Sequence, residues 1–228
     1  MSPSSAPAGT NAAIQYSVKN FGTGTAVAPW YDYILFSTDL TFGGDTAVAV
    51  VQRLVNTNAG GQYTLIQNAA IPKVPPGTYY LYLQTDPTNV VAETNESNNV
   101  SSFIPITVTA PELIPTAFTA PGSGTAGSSI SVSYTVKNQG SANAFGPWTD
   151  RVFLSTDATF GGDTPLNAFA NVNNLALNGT YSATVSVTLP MVAPGTYRLF
   201  FQADDTDAIY EGGQEANNVR GPLTITIN

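Results

Sequence analysis

Ala12, Ile14, Tyr16 and Val18 alternate with Ala13, Gln15, Ser17 and Lys19, and the pattern sharpens at Ile130, Val132, Tyr134 and Val136 against Ser131, Ser133, Thr135 and Lys137. A period of two turns one set toward a core and the other toward water, so each stretch predicts a half-buried strand. Asn20-Phe21-Gly22-Thr23-Gly24 and Asn138-Gln139-Gly140-Ser141 follow, rich in residues that tolerate positive φ, and predict turns. Further strands are expected at residues 30–37, 46–51, 62–69 and 78–83, rich in β-branched and aromatic side chains, and at residues 196–201. Between them Val74-Pro75-Pro76-Gly77 forbids helix continuation. Final strands are expected at 103–109 and 222–227, and no window sustains a 3.6-residue apolar period.

The pattern is written twice. Ser37-Thr38-Asp39-Leu40-Thr41-Phe42-Gly43-Gly44-Asp45-Thr46 returns 118 positions later as Ser155-Thr156-Asp157-Ala158-Thr159-Phe160-Gly161-Gly162-Asp163-Thr164. The same offset carries Tyr16-Ser17-Val18-Lys19-Asn20 onto Tyr134-Thr135-Val136-Lys137-Asn138, Trp30 onto Trp148, and Pro76-Gly77-Thr78-Tyr79 onto Pro194-Gly195-Thr196-Tyr197. A period this long marks whole domains, each burying its own core, rather than solenoid repeats. About seven short strands per copy with frequent turns predict an all-β protein of two tandem immunoglobulin-like β-sandwich domains, 1–109 and 110–228.

The copies differ at their starts. Residues 111–118 read as a first strand of the second domain, and their counterpart in the first domain would precede Met1. The first domain therefore reads as lacking its first strand. That leaves a chain cut slightly short of its first strand, a weak substitute strand from residues 2–8, or an open sheet edge that a neighbouring chain could complete.

Composition narrows the function. Seven Lys and Arg stand against fifteen Asp and Glu, for a net charge of −8, so the surface repels nucleic acid and anionic lipid. No apolar run reaches the ~20 residues of a membrane span, and the first residues lack the basic and apolar regions of a signal peptide. Histidine and cysteine are both absent, which removes the commonest general base, thiol nucleophiles, most zinc sites and all disulfides. The chain is expected not to be an enzyme: no carboxylate pair is placed by a motif with specific catalytic geometry.

The motifs Tyr-x-Val-x-Asn-x-Gly, Ser-Thr-Asp with a following Gly-Asp-Thr, Pro-Gly-Thr-Tyr, and Asp86-Pro87-Thr88-Asn89-Val90-Val91-Ala92-Glu93-Thr94-Asn95-Glu96-Ser97-Asn98-Asn99 together resemble the CARDB domain, the cell-adhesion-related domain found in bacteria. The likeness covers nearly the whole chain, twice. It implies an immunoglobulin-like fold and a place among repeats of large secreted or surface proteins. The second copy departs in the last motif, Glu211-Gly212-Gly213-Gln214-Glu215-Ala216-Asn217-Asn218, which is one residue longer.

Fourteen of the fifteen acidic residues fall in two kinds of segment, 32–45 and 86–96 with their repeats; Glu112 is the exception. Loops of Asp, Glu and Asn suit calcium, which takes six to eight oxygen ligands; they equally suit turns, where Asp and Asn accept from nearby backbone amides. Candidate calcium ligands are Asp32, Asp39, Asp45, Asp86, Glu93 and Glu96, with Asp150, Asp157, Asp163, Asp204, Glu211 and Glu215 in the second copy. Asp32 and Asp150 share the apolar parity of their strand, so each needs a basic partner, backbone amides or a cation. Asp32 is expected to meet Asp86, Glu93, Asn95 or Glu96, and Asp150 to meet Asp204, Glu211 or Glu215. A second expected calcium position is the junction of the domains, between Asp39 and Asp45 of the first and residues 204–215 of the second.

The expected role is a non-enzymatic structural or adhesion module of a bacterial surface or secreted protein, acting as spacer or interaction repeat and stiffened by calcium. Its partners would be other domains of the same large protein or a surface partner, without nucleic acid or membrane insertion. A carbohydrate-binding or accessory module of a secreted hydrolase is the alternative, since Tyr31 and Tyr33 could stack on sugar rings.

Overall fold

A computed structural model describes residues 3–228, which form two units, one ending at Thr109 and the other spanning Ala110–Asn228. Each is a two-sheet sandwich of immunoglobulin-like type, and described helix is confined to two single 3₁₀ turns, Glu96–Asn98 and Glu215–Asn217. No described helix is long and apolar enough to cross a membrane.

The strands of the first unit are β1 (Ser5–Pro7), β2 (Asn11–Lys19), β3 (Trp30–Ser37), β4 (Thr46–Arg53), β5 (Gln62–Ala70), β6 (Gly77–Thr85) and β7 (Ile104–Thr109). One sheet runs β1-β7-β6-β3-β4; the other is the pair β2-β5, joined antiparallel from Asn11 opposite Ala70 to Lys19 opposite Gln62. The parity of β2 holds, with Ala12, Ile14 and Tyr16 buried and Ala13, Gln15 and Ser17 exposed. Ile14, Ile34, Leu81 and Ile106 from both sheets fill the core, and each such side chain contributes roughly 1.5–3 kcal/mol by leaving water.

The second unit contains β8 (Leu113–Thr119), β9 (Ser123–Gly124), β10 (Ser129–Asn138), β11 (Trp148–Ser155), β12 (Thr164–Asn171), β13 (Thr180–Thr188), β14 (Gly195–Gln202) and β15 (Val219–Ile227). Its larger sheet, β12-β11-β14-β15-β9, matches that of the first unit strand for strand, but its smaller sheet has three strands, β13-β10-β8. Leu113, Pro115 and Phe118 of β8 are buried, and the Phe118 ring lies 5.8 Å from that of Phe201.

The expected substitution by residues 2–8 is corrected here. Residues 1 and 2 lie outside the described residues, and Ser5–Pro7 does form a strand, but it pairs parallel with β7, on the opposite sheet from β2. It is the counterpart of β9, which pairs parallel with β15. Among the described residues nothing pairs with the outer edge of β2, the place that β8 takes on β10.

Candidate functional site

The repeated block closes the β3-β4 and β11-β12 hairpins in the same way in both units. Asp39 accepts from the Thr41 N–H at 2.7 Å and Asp45 from the Gly43 N–H at 3.0 Å; Asp157 and Asp163 repeat both bonds on Thr159 and Gly161 at the same distances. Gly43 and Gly44, like Gly161 and Gly162, stand at positive φ, which a residue with a Cβ would adopt only with strain. Phe42 packs on Tyr82, and Phe160 on Phe153 and Phe200.

Asp32 is fully buried, as its parity predicts, but its partners are none of those expected. Oδ2 accepts from the Tyr63 hydroxyl at 2.7 Å and the Tyr16 hydroxyl at 3.2 Å, and Oδ1 from the Thr85 hydroxyl at 2.7 Å. Burial, then the Asp32 carboxylate, push both tyrosine hydroxyls far above their ordinary pKa and keep them as donors. The guanidinium of Arg53 lies 4.2 Å over the Tyr63 ring. The sequence held the signal: Tyr16 has buried parity, and a buried phenol needs a partner.

Asp150 is held by a different set of donors, the Tyr134 hydroxyl among them. Tyr181 donates to Oδ2 at 2.6 Å and the Asp204 N–H to Oδ1 at 3.2 Å. Thr85 is replaced by Ala203 and Arg53 by Asn171. Burial pushes the Asp150 carboxyl up to about 6 against the bonds that favour its charged form.

Asp86 and Asp204 lie at the same end of their sandwiches as Asp32 and Asp150, yet their side chains turn into their own loops. Asp86 accepts from the Val90 and Val91 N–H groups at 3.0 and 2.7 Å, and Asp204 from Ala208 and Ile209 at the same two distances. Both residues have positive φ, a strained state for a non-glycine residue, held by these paired bonds. Glu96 accepts from the Glu93 N–H at 3.0 Å, and Glu215 from the Glu211 N–H at 3.1 Å. Thus most of the proposed ligands cap backbone amides, and among the described residues no group of three or more Asp or Glu side chains is arranged to hold a metal.

Glu93 and Glu211 part company. Glu93 is exposed, whereas Glu211 is 1% exposed and accepts through Oε2 from the Leu113 N–H of β8 at 3.1 Å. Burial first, then Glu215 and Glu112, push Glu211 up to about 8. Its Oε1, Oε1 of Glu112 and Oδ1 of Asn218 are buried without a hydrogen bond of good geometry. Glu112 comes beside Glu211 only through the crossing of β8, a long-range contact that the local sequence pattern does not show.

Twin sandwiches with these motifs define the class, and the CARDB family model matches residues 1–103 and again 110–221. The chain belongs to the CARDB family, and its two units are CARDB domains in tandem. Among solved structures it is similar to the CARDB domain of the PF1109 protein from Pyrococcus furiosus, whose crystal structure is in complex with di-metal ions, at 18% identity over 52% of this chain and 90% of that one, with a TM-score of 0.40. The solution structure of that domain matches at 19% identity over 52% and 95%, with a TM-score of 0.39. A β-glucosidase from Listeria innocua, in complex with gluconolactone, matches at 18% identity over 62% of this chain and 20% of that one, with a TM-score of 0.34. No curated protein sequence matches.

Proposed function

We propose that this chain is a non-catalytic spacing and adhesion module of a surface or secreted protein. The observation that carries the reading is where its acidic residues go: the same four loop carboxylates per unit cap backbone amides, so they hold the ends of a sandwich in shape. Carboxylates committed to backbone N–H groups are poor nucleophiles and bases, but good at keeping loops fixed under load. The expected result is two separate force-extension peaks on pulling the chain from its ends, each releasing roughly 35 nm, the length of an extended chain of one unit less its folded span. A single non-cooperative extension, or saturable binding on a glycan array, would overturn it.

A second reading, calcium stiffening of the second unit, has its own support. Buried oxygens of Glu112, Glu211 and Asn218 that lack a hydrogen bond of good geometry, beside the Asn217 and Asn218 side chains that favour the two charged carboxylates, suit a hard cation, which prefers carboxylate and amide oxygens. These residues would hold it, and it would neutralise the Glu112 and Glu211 charges while tying β8 to the 211–218 loop. Millimolar calcium is then expected to raise the melting temperature of the native chain and leave that of Glu211→Gln unmoved. Equal melting curves with calcium and with chelator would sink this reading.

A further inference from the structure

Trp30, Ile34 and Phe36 turn one face of β3 into the core of the first unit, so Tyr31, Tyr33 and Leu35 point out of the sandwich. Register carries that outward face across the sheet: Tyr33 lies opposite Val50 of β4 and Gln84 of β6, Tyr31 opposite Gln52, and Leu35 opposite Tyr82. None of these residues is charged. Aromatic rings pile up there. Tyr82 is buried although it lies outside the core, under Phe42 and Phe103 at ring distances of 5.7 and 6.4 Å, and Phe103 also packs on Tyr80 at 5.3 Å. The layer is unfinished, since Tyr31 is 38%, Phe42 and Phe103 each 42% and Val50 55% exposed.

The second unit builds the same sheet without this face. At the 118-residue offset Tyr31, Tyr33 and Tyr80 become Thr149, Arg151 and Arg198, and Val50 becomes Ala168. Phe103 precedes Ile104, which lies opposite Leu81; at the matching place Pro222 precedes Leu223, opposite Leu199. Arg151 is ion-paired with Asp205 at 2.6 Å. The sheet therefore forms equally with a charged outer face, and the fold does not require the exposed rings of the first unit.

A net charge of −8 makes copies of this chain repel one another, least where a neutral face is presented. A two-fold contact is stricter, because its axis sets one patch against itself and so sets charge against like charge. An axis near the paired Leu35 and Tyr82 would bring Tyr33 of each copy toward Tyr80 of the other, ring on ring. The same axis on the second unit would bring Arg151 toward Arg198. Size also fits: four strands of about eight residues cover roughly 26 by 19 Å, so two such faces bury on the order of 1,000 Å² or more, enough for a specific contact.

We infer that the outer face of β4-β3-β6-β7 in the first unit is a docking surface for a second copy of this chain, the two first units packing face to face about a two-fold axis. The rings supply the buried contact, and the Gln52 and Gln84 amides the hydrogen bonds beside them. Asp39 and Asp45, in the hairpin loop beyond Ser37, stay turned to their own backbone amides. The inference goes beyond the adhesion reading and depends neither on calcium in the second unit nor on the strip beside β2.

Sedimentation equilibrium of the intact chain is expected to show a reversible dimer with a dissociation constant below about 1 mM, tightening as salt screens the negative surface. Amide shifts on dilution should fall at Tyr31, Tyr33, Tyr80 and Phe103, not at Thr149, Arg151 and Arg198. Tyr33→Arg with Tyr80→Arg should weaken the dimer at least tenfold in a folded chain, since the second unit carries arginine at both places. Val50→Glu is the second variant, should the first fold poorly, and is expected to do the same. A chain that stays monomeric up to about 1 mM, or a dimer that both variants leave intact, would overturn the inference. So would dilution shifts confined to β2. An oligosaccharide that shifts the Tyr31 and Tyr33 resonances of a monomeric chain would overturn it too, and the adhesion reading with it.

Discussion

The two units carry the same motifs, yet the strip beside β2 and the strip beside β10 have become different environments. Beside β10 a strand covers Val136 and Asn138, buries Glu211 and brings Glu112 next to it. Beside β2 the corresponding residues are open to solvent or only partly covered, and Glu93 stays at the surface. The difference teaches that the same motif residues take different environments according to whether a strand lies beside them. Whether a glutamate at the 93 or 211 position stays at the surface or lies buried with a raised pKa follows from whether a strand lies beside it.

The largest expected break of this comparison comes from the paired glycines. Gly140→Ala forces a Cβ into the backbone of residues 110–112 and should destabilise the second unit by about 3–5 kcal/mol, the range of a disrupted core; Gly22→Ala should cost about 0.5 kcal/mol or less. Urea unfolding followed by amide resonances of each unit would read both, and equal losses would refute the account of the strip.

A pH series sharpens it. Glu211 is held near 8 in the folded unit, above its ordinary 4.5, so the folded state holds its proton more tightly than the unfolded one. Stability from this group is fully present below the unfolded pKa and is lost as pH rises through the folded one. In chelator, the second unit should lose up to about 2.5 kcal/mol between pH 5.5 and 7.5, and Glu211→Gln should flatten the curve. Calcium, if bound, keeps the carboxylate ionised and should reverse the slope. The exposed Glu93 gives the first unit no matching trend of that size.

The buried aspartates should differ less. Tyr181→Phe removes the 2.6 Å hydroxyl bond to Asp150 Oδ2, leaving the Tyr134 hydroxyl at that carboxylate, and should cost about 2 kcal/mol; Tyr63→Phe leaves Asp32 its bonds from Tyr16 and Thr85 and should cost nearer 1 kcal/mol. Ala203→Thr should rebuild the missing donor, lower the Asp150 pKa from about 6, and be visible as a shifted carboxyl titration by NMR.

The smallest effects should be equal ones. Asp39→Ala and Asp157→Ala each remove the same bond to a turn amide and should each cost about 0.5–1.5 kcal/mol. Unequal costs would mean that the two hairpins are not equivalent, against their matched geometry.

Much of this was legible before any coordinates. The 118-residue offset announced two equivalent domains, and strand parity placed Ile14, Ile34, Val132 and Val152 inside. The same parity flagged Asp32 and Asp150 as buried acids. It did not name their partners, because Tyr63 and Tyr181 come from strands of the opposite sheet, 31 positions away in sequence. Nor did it reveal that residues 5–7 join β7: a three-residue strand has too little pattern to choose a sheet, and the choice falls to whichever edge leaves Ala6 inside.

By itself, then, the sequence determined that this protein is built of two β-sandwiches with matching turns, because period-two alternation, positive-φ glycines and Asp caps are local properties of the chain. Only the tertiary structure decided which strand stands beside β10, and with it which carboxylates are buried and which main-chain groups are bonded across a sheet edge. Those outcomes depend on strand pairing between residues far apart in the chain, and hydrogen bonding and burial across a sheet edge are set by the neighbour, not by the residue that meets it.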